Sequence, residues 1–382
     1  MRGVRDIRAL AGIPVLVRGA LNVPTERGVV TNDYRLRRAV PTLRFLAERG
    51  ARVVVISHIG EDPAASLAPV AAALGKLIPG VSFSPDTIGP RARDAVRRLP
   101  PGGIIVLENL RRHPGEKSND PAFATELAGL ADVFVEDSFD TCHRQHASIV
   151  GVPKLLPSYA GLLLEDEIAA LSGALTPAAP SLAVIGGAKF STKEAVLTAL
   201  FARYDHVFVG GALANDFLKA SGQEVGKSLV SVGSDAGIAP LLTNPKLVLP
   251  VDSIVIPVRL QGTPDARAAA VVRAPGSVAP DDVILDHGPA TGALLAGLAA
   301  RAKTILWNGP LGNYENGFTD ATDTLARAVA ASPAHSVVGG GDTIASIERL
   351  GLLPKFSFVS TGGGAMLDFL ATGTLPGIAA LG

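Results

Sequence analysis

Two lysines four residues apart, Lys189 and Lys193, follow a glycine pair at the end of an apolar run, Leu182–Ile185. The run reads as a buried strand, Gly186-Gly187 as a turn, and Lys193-Glu194-Ala195-Val196-Leu197 as a helix start. A helix through this segment would set both lysines on one face. Free backbone N–H groups at such a turn, beside two ammonium groups, make a cradle for an anionic group such as phosphate. An ordinary strand-to-helix turn with two solvated lysines reads the same way, so the other strand ends must decide.

Those ends divide by type. In the second half they carry bare backbone: Gly210-Gly211, Asn308-Gly309-Pro310, Gly339-Gly340-Gly341 and Gly362-Gly363-Gly364. In the first half they carry cations, imidazoles and amides: Arg18 and Asn22, His58, Arg111, then His143, Arg144 and His146, with Arg35 nearby. Arginine suits carboxylate and phosphate because its planar fork bonds them bidentately. The division implies a small anionic acid on the first half and a nucleotide on the second. Asp342, opening a helix after the glycines, suits a hard cation such as Mg²⁺ or an N-cap, and the two roles are compatible. Glu315, after the tight Asn308–Gly312 loop, suits a ribose diol.

Other site types are excluded. Gly222-Gln223-Glu224-Val225-Gly226-Lys227-Ser228 has three residues between its glycines where a P-loop has four. No G-x-G-x-x-G follows the first strand, against a dinucleotide dehydrogenase. Cys142, His143 and His146 have no second ligand cluster at zinc spacing.

The elements that must position these residues are short β-branched runs alternating with helical segments. In the first half the runs are Val15–Val17, Val53–Ile56, Ile104–Leu107 and Val133–Val135, with helices expected over Arg35–Arg49, Ser66–Leu77, Ile88–Leu99 and Pro121–Leu130. The second half repeats the plan with Leu182–Ile185, Val207–Val209, Leu247–Leu249, Thr304–Trp307, Ser336–Val338 and Phe358-Val359. Strands apolar on both faces, alternating with helices, predict parallel sheets covered on both sides. The fold class is therefore α/β, with two doubly wound parallel-sheet lobes. A helix over Ser158–Leu171 and a Pro/Ala-rich piece, Thr176–Pro180, are expected to join them. The 382 residues fit two cores better than one. Lys plus Arg and Asp plus Glu are equal at 35 each, which leaves no global charge argument for nucleic acid or an anionic membrane. One cysteine fits a reducing cytoplasm, and neither a signal peptide nor an 18-residue apolar run is present.

Taken in order, Arg18–Pro24, Ser57–Gly60, Leu107–Arg111, Thr141–His146, Gly186–Lys189, Trp307–Pro310, Gly339–Thr343 and Ser360–Gly364 resemble phosphoglycerate kinase along essentially the whole chain. The resemblance implies Rossmann-like lobes joined by a hinge helix. It also implies an acid-binding lobe at 1–156, an interdomain helix and linker at 157–175, a nucleotide lobe at 176–361, and a tail at 362–382 returning to the first lobe. The implied reaction is Mg²⁺-assisted in-line transfer between ATP/ADP and a carboxylic acid, 3-phosphoglycerate, in glycolysis, with lobe closure, by a cytoplasmic monomer that binds neither nucleic acid nor membrane. Carried over residue by residue, Arg35 approaches the transferred group with Lys189, Gly341 and Gly364. Arg18, Asn22, His58, Arg111, His143 and Arg144 bind the acid. Lys193 reaches the nucleotide phosphates and Thr343 neighbours them. Gly187, Ala188, Gly211, Asn308, Pro310 and Gly340 line the nucleotide, Glu315 takes its ribose, and Asp342 is the metal ligand.

The departures concentrate in the acid pocket. The family's Val-Asp-Phe-Asn is Gly19-Ala20-Leu21-Asn22 here, without the aspartate that bonds the 2-hydroxyl. Its Ser-His-Leu-Gly-Arg-Pro is Ser57-His58-Ile59-Gly60-Glu61-Asp62, reversing the charge of a phosphate-binding arginine. Its Asn-Asp-Ala-Phe-Gly-Thr is Glu136-Asp137-Ser138-Phe139-Asp140-Thr141, adding carboxylates. Asn313, where valine is usual, touches the adenine side mildly. Losing one charge-assisted partner of a buried phosphate costs roughly 1.5–3 kcal/mol. Binding of ATP or ADP with Mg²⁺ and weak or absent turnover of 3-phosphoglycerate are the resulting expectations. Two alternatives follow: the same mechanism on a different carboxylic acid, and a non-catalytic nucleotide-binding relative.

Overall fold

Apolar β-branched runs followed by helical segments build two units, Met1–Ala169 with Thr374–Gly382, and Ala170–Gly373. The structure is a computed structural model that describes residues 1–382, the side chain of Asp235 excepted.

In the first unit the strands are β1 (Pro14–Gly19), a hairpin of β2 (Thr25–Glu26) and β3 (Val29–Val30), β4 (Arg52–Ile56), β5 (Val81–Phe83), β6 (Ile104–Val106), β7 (Val133–Asp137) and β8 (Ser158–Ala160). Six of them form one parallel sheet in the order β5-β6-β4-β1-β7-β8. Val15, Val17, Val53, Val55 and Val106 from the sheet pack with Leu36, Leu43 and Leu46 of the helix Tyr34–Glu48 and with Leu74 of the helix Ala68–Leu77. Burial on both faces explains why these strands read as continuous apolar runs.

The second unit carries β9 (Ser181–Ile185), β10 (His206–Val209), β11 (Leu247–Val248), β12 (Ser253–Pro257), β13 (Val271–Arg273), β14 (Asp282–His287), β15 (Thr304–Asn308), β16 (His335–Gly339) and β17 (Phe358–Val359). A second six-stranded parallel sheet has the order β11-β10-β9-β15-β16-β17. In each sheet the chain leaves the first strand toward one side and returns on the other. The reversal falls between β1 and β7 in one sheet and between β9 and β15 in the other. A crevice outside the carboxyl ends opens at such a point.

Three local expectations are corrected. Ser158–Ala160 is strand, pairing with Phe134–Glu136, and the helix runs over Leu162–Ala174. Buried Asp137 accepts the N–H groups of Leu163 and Leu164 at 3.0 and 3.4 Å, which fixes that helix start. Lys189 and Lys193 do not share an α-helical face, because Phe190–Thr192 form a 3₁₀ turn and the helix begins at Glu194. The antiparallel sheet β13-β12-β14 departs from the all-parallel expectation: its strands follow one another with no α-helix between them, and β13 is exposed, although the apolar runs of β12 and β14 are as long as that of β10. Among the described residues no helix is long and apolar enough to cross a membrane.

Candidate active site

The first unit gathers its cations at the carboxyl edge of its sheet. Arg18, the penultimate residue of β1, is 1% exposed, and hydrogen bonds hold its guanidinium. Nε donates to Ser148 Oγ at 3.1 Å, Nη1 to the Gly19 carbonyl at 2.8 Å, and Nη2 to His58 Nδ1 at 3.0 Å. Ser148 is held in turn by buried Glu116, whose carboxylate accepts its N–H at 3.0 Å and its hydroxyl at 2.6 Å. Burial, then Arg18, Arg111, Arg144 and Arg35 in that order, push the His58 pKa far below its usual value. His58 is therefore neutral, and with Nδ1 accepting from Arg18 its proton sits on Nε2 as a donor. One imidazole that feels four guanidiniums marks an anion pocket assembled from β1, the helix Tyr34–Glu48 and three strand-end loops.

Asn22 ties that pocket's rim, its Oδ1 accepting from Gly60 N–H at 3.0 Å and its carbonyl from Arg35 Nη1 at 2.6 Å. Arg111, buried, bonds the Gly60 carbonyl and lies 2.6 Å from Glu61. His143 and Arg144, half-buried, follow the 3₁₀ turn Phe139–Thr141. His146 is pushed down to about 4 by burial and then by Arg144.

Most departures from the family pattern fall in the first unit, while Asn313 lines the cavity of the second. Ala20 is buried at 1% exposure. Asp140 Oδ2 stands 3.6 Å from Arg35 Nη1, and its Oδ1 accepts from Ser138 Oγ at 2.7 Å. Glu61 faces the cations and bridges Arg111 and Lys117. Burial raises the Glu136 carboxyl pKa well above the usual range, while Arg18 opposes the shift. Cys142 is buried, and no cluster of three or more metal-ligating side chains occurs among the described residues.

The second unit holds a cavity of about 620 Å³ lined by Gly187, Ala188, Gly211, Pro310, Glu315 and Asp342, all singled out from the sequence. Bare backbone makes this possible at the β9/β15 reversal. Gly309 has φ +95°, and a Cβ there would meet the Gly186 carbonyl carbon at 2.7 Å. Gly211 has φ +66°, and its Cβ would meet Gly187 N at 2.8 Å. Asn308 is buried and donates to the Gly363 carbonyl at 3.3 Å. Gly340, at φ +101°, packs beside Gly309 and the Thr343 hydroxyl, which is buried with no hydrogen-bond partner. Gly341 and Gly364 open the helices Gly341–Arg349 and Gly364–Thr372. Lys193 stands beside Gly187 and Lys189 is exposed; neither lysine lines the cavity wall.

Asp342 is open to solvent with no hydrogen bond or ion pair among the described residues. Partial desolvation, then the Glu315 charge, raise its carboxyl pKa. An unpaired carboxylate repelled by a second one is an oxygen donor set that fits a hard divalent cation, which takes few protein ligands beside phosphate.

Sequence reasoning missed two features of this cavity. Lys227, set aside as a failed P-loop lysine, lines it. His287 also lines it; its Nε2 accepts Gly211 N–H at 2.9 Å, and burial lowers its pKa to about 4. His287 belongs to the antiparallel sheet, so its link to Gly211, 76 residues away, left no local signal.

A family model described as phosphoglycerate kinase matches residues 4–373. A phosphoglycerate kinase of Rubrobacter xylanophilus is 45% identical over 390 residues, covering 100% of this chain and 98% of its own. One from Roseiflexus castenholzii is 43% identical over 394 residues, covering 99% and 98%. Among solved structures, the phosphoglycerate kinase from Coxiella burnetii superposes with a TM-score of 0.82 at 40% identity, covering 99% and 98%. That from Pyrococcus horikoshii gives 0.87 at 31% identity, covering 100% and 98%.

Proposed function

Since the chain belongs to the phosphoglycerate kinase family and is a kinase, we propose that it transfers a phosphoryl group between ATP/ADP and the carboxyl of 3-phosphoglycerate. The observation that carries the reading is the buried Arg18–His58 pair beside Arg35 and Arg111, which are tied to the Asn22–Gly60 rim, in a chain whose other unit offers a glycine-lined cavity. Nothing in the relatives or the geometry favours a different reaction or a non-catalytic role.

On this reading Arg18, His58, Arg111, His143 and Arg144 hold the acid, with Asn22 aligning the loop that carries Gly60. A carboxylate nucleophile is ionised near neutral pH, so no general base is needed, and the obstacle is repulsion between anions. Arg35 and Lys189 offset charge on the transferring group, and Gly341 and Gly364 offer backbone N–H groups beside it. Lys193 and Thr343 meet the nucleotide phosphates. Gly187, Ala188, Gly211, Asn308, Pro310 and Gly340 let the nucleotide approach the backbone, and Glu315 takes the ribose. Asp342 would hold Mg²⁺, whose charge neutralises the phosphates when it is bound. Transfer needs acid and nucleotide together with water excluded, so closure of the acid-binding unit on the nucleotide-binding unit during turnover belongs to the proposal. We place the enzyme in glycolysis, as a cytoplasmic monomer.

The test is a coupled assay of 3-phosphoglycerate with Mg-ATP, following dehydrogenase-linked NADH oxidation. Turnover dependent on both substrates is expected; nucleotide binding without turnover on 3-phosphoglycerate contradicts the reading.

A second expectation concerns pH. Burial lowers the Lys193 pKa to about 8, against a weaker opposing pull from Asp368. The free enzyme therefore sheds this charge as pH rises through about 8, and nucleotide phosphates must restore it by proton uptake. Mg-ADP affinity measured by calorimetry should be flat from pH 6 to 7.5 and fall by up to about tenfold per pH unit above 8. Lys193→Met should remove that dependence. A wild-type profile flat to pH 9.5 counts against Lys193 meeting the phosphates.

A further inference from the structure

The side chain of Glu61 bridges two cations from separate elements. Its Oε1 lies 2.6 Å from Arg111 Nη1, on the 3₁₀ turn Leu110–Arg112, and its Oε2 lies 2.9 Å from Lys117 Nζ, on the helical turn Pro114–Lys117. The partners differ sharply in burial. The Arg111 side chain is 2% exposed, whereas that of Glu61 is 70% exposed. Arg111 is thus a fixed, desolvated cation, and Glu61 reaches it from the solvent side. Gly60, with φ +59°, turns the chain so that its own carbonyl also accepts from Arg111. Lys117 first, then Arg111, hold the Glu61 carboxyl down at about 2, so it stays ionised across the working range.

A carboxylate in that position does what a substrate anion would do: it neutralises a buried arginine. We propose that Glu61 is a built-in competitor of the acid substrate, occupying the Arg111–Lys117 cation pair until an incoming phosphate displaces it toward solvent. The inference rests on the assignment of this pocket to the acid. Displacement is inexpensive on the Glu61 side because an exposed carboxylate regains water as it leaves. On the Arg111 side the pairing is conserved, since one anion replaces another. The net effect is a weaker grip on the acid than the same arginine would have alone, together with a pocket that is never left with an unpaired buried cation. Glu61 therefore sets acid affinity without touching the reacting carboxyl.

The experiment compares wild type, Glu61→Gln and Glu61→Asp in the full chain. KM for 3-phosphoglycerate and for Mg-ATP comes from the coupled assay, and the affinity of inorganic phosphate from calorimetry. For Glu61→Gln, KM for the acid and Kd for phosphate are expected to fall about tenfold, the size of one charge-assisted contact, with a much smaller change in KM for Mg-ATP. Glu61→Asp keeps the charge on a shorter stem and should give a smaller gain. Thermal unfolding of Glu61→Gln should respond more strongly to added phosphate than that of wild type. Phosphate affinity that is unchanged or lower in Glu61→Gln overturns the proposal. If wild type fails to turn over 3-phosphoglycerate, the functional reading fails, while the phosphate titration still decides the role of Glu61.

Discussion

Replacing Arg35 with methionine is expected to lower kcat by about 10²–10³-fold, the usual loss when one preorganised donor to a transition-state charge is removed. Arg35 lies in the first turn of the helix Tyr34–Glu48, and its Nη1 already donates to the Asn22 carbonyl at 2.6 Å. The nearby Asp140 carboxylate, at 3.6 Å, holds the same group by charge. Little reorganisation is then needed when negative charge develops in the transferring group. Methionine keeps most of the stem but removes the fork and the charge. KM for nucleotide should change little, because the proposed nucleotide contacts all come from the other unit. Stability should fall by about 1 kcal/mol, since the Asn22 carbonyl loses its donor. Arg35→Lys should recover only part of the rate, as an ammonium lacks the planar fork. A methionine variant within about threefold of wild-type kcat would remove Arg35 from the chemistry.

Gly186→Ala is expected to damage stability and nucleotide binding together. A Cβ at Gly186 would lie 2.2 Å from the Pro310 carbonyl and 2.7 Å from that of Gly309, both backbone atoms that cannot swing aside. Gly186 N–H donates to the Asn308 carbonyl at 2.8 Å just beyond the paired ends of β9 and β15, where Ile185 faces Asn308. Relief of the clash must therefore spread those two strand ends. Overpacking of this kind costs roughly 1–3 kcal/mol, with Tm falling about 2–4 °C per kcal/mol for a unit of this size. The displaced backbone is also a cavity wall, so Mg-ADP affinity should drop by at least about tenfold. Gly173→Ala is the control: it lies in the helix Leu162–Ala174, and a Cβ there meets nothing within 4 Å. That variant should be neutral or stabilised by up to about 1 kcal/mol. Equal behaviour of the two would mean the tight β9/β15 crevice is not what shapes the nucleotide wall.

The parallel sheets were readable because both faces are buried and each strand therefore carries an unbroken apolar run, as Val53–Ile56 and Leu182–Ile185 do. The separation of cations from glycines was readable for the same reason, since strand ends locate the crevices. What escaped the sequence depends on distant partners. Ser158–Ala160 is strand because β7 offers an edge, and the helix after it starts where Asp137 caps it. Glu61 could be seen as a departure, but its direction is set by Lys117, 56 residues on. The support of Arg18 by Ser148 and Glu116 likewise joins β1 to residues more than 90 positions away. His287 reaches the glycine-lined cavity through an antiparallel sheet that alternating α/β logic does not anticipate.

Trapping the acyl-phosphate product shows whether this chain phosphorylates the carboxyl of 3-phosphoglycerate. Enzyme, Mg-ATP and 3-phosphoglycerate are incubated with hydroxylamine, which converts an acyl phosphate to a stable hydroxamate. Hydroxamate is expected in step with ADP, dependent on 3-phosphoglycerate and Mg²⁺ and sharply reduced in Arg35→Met. ADP release without hydroxamate, or no ADP release from an enzyme that binds Mg-ATP, would contradict this activity.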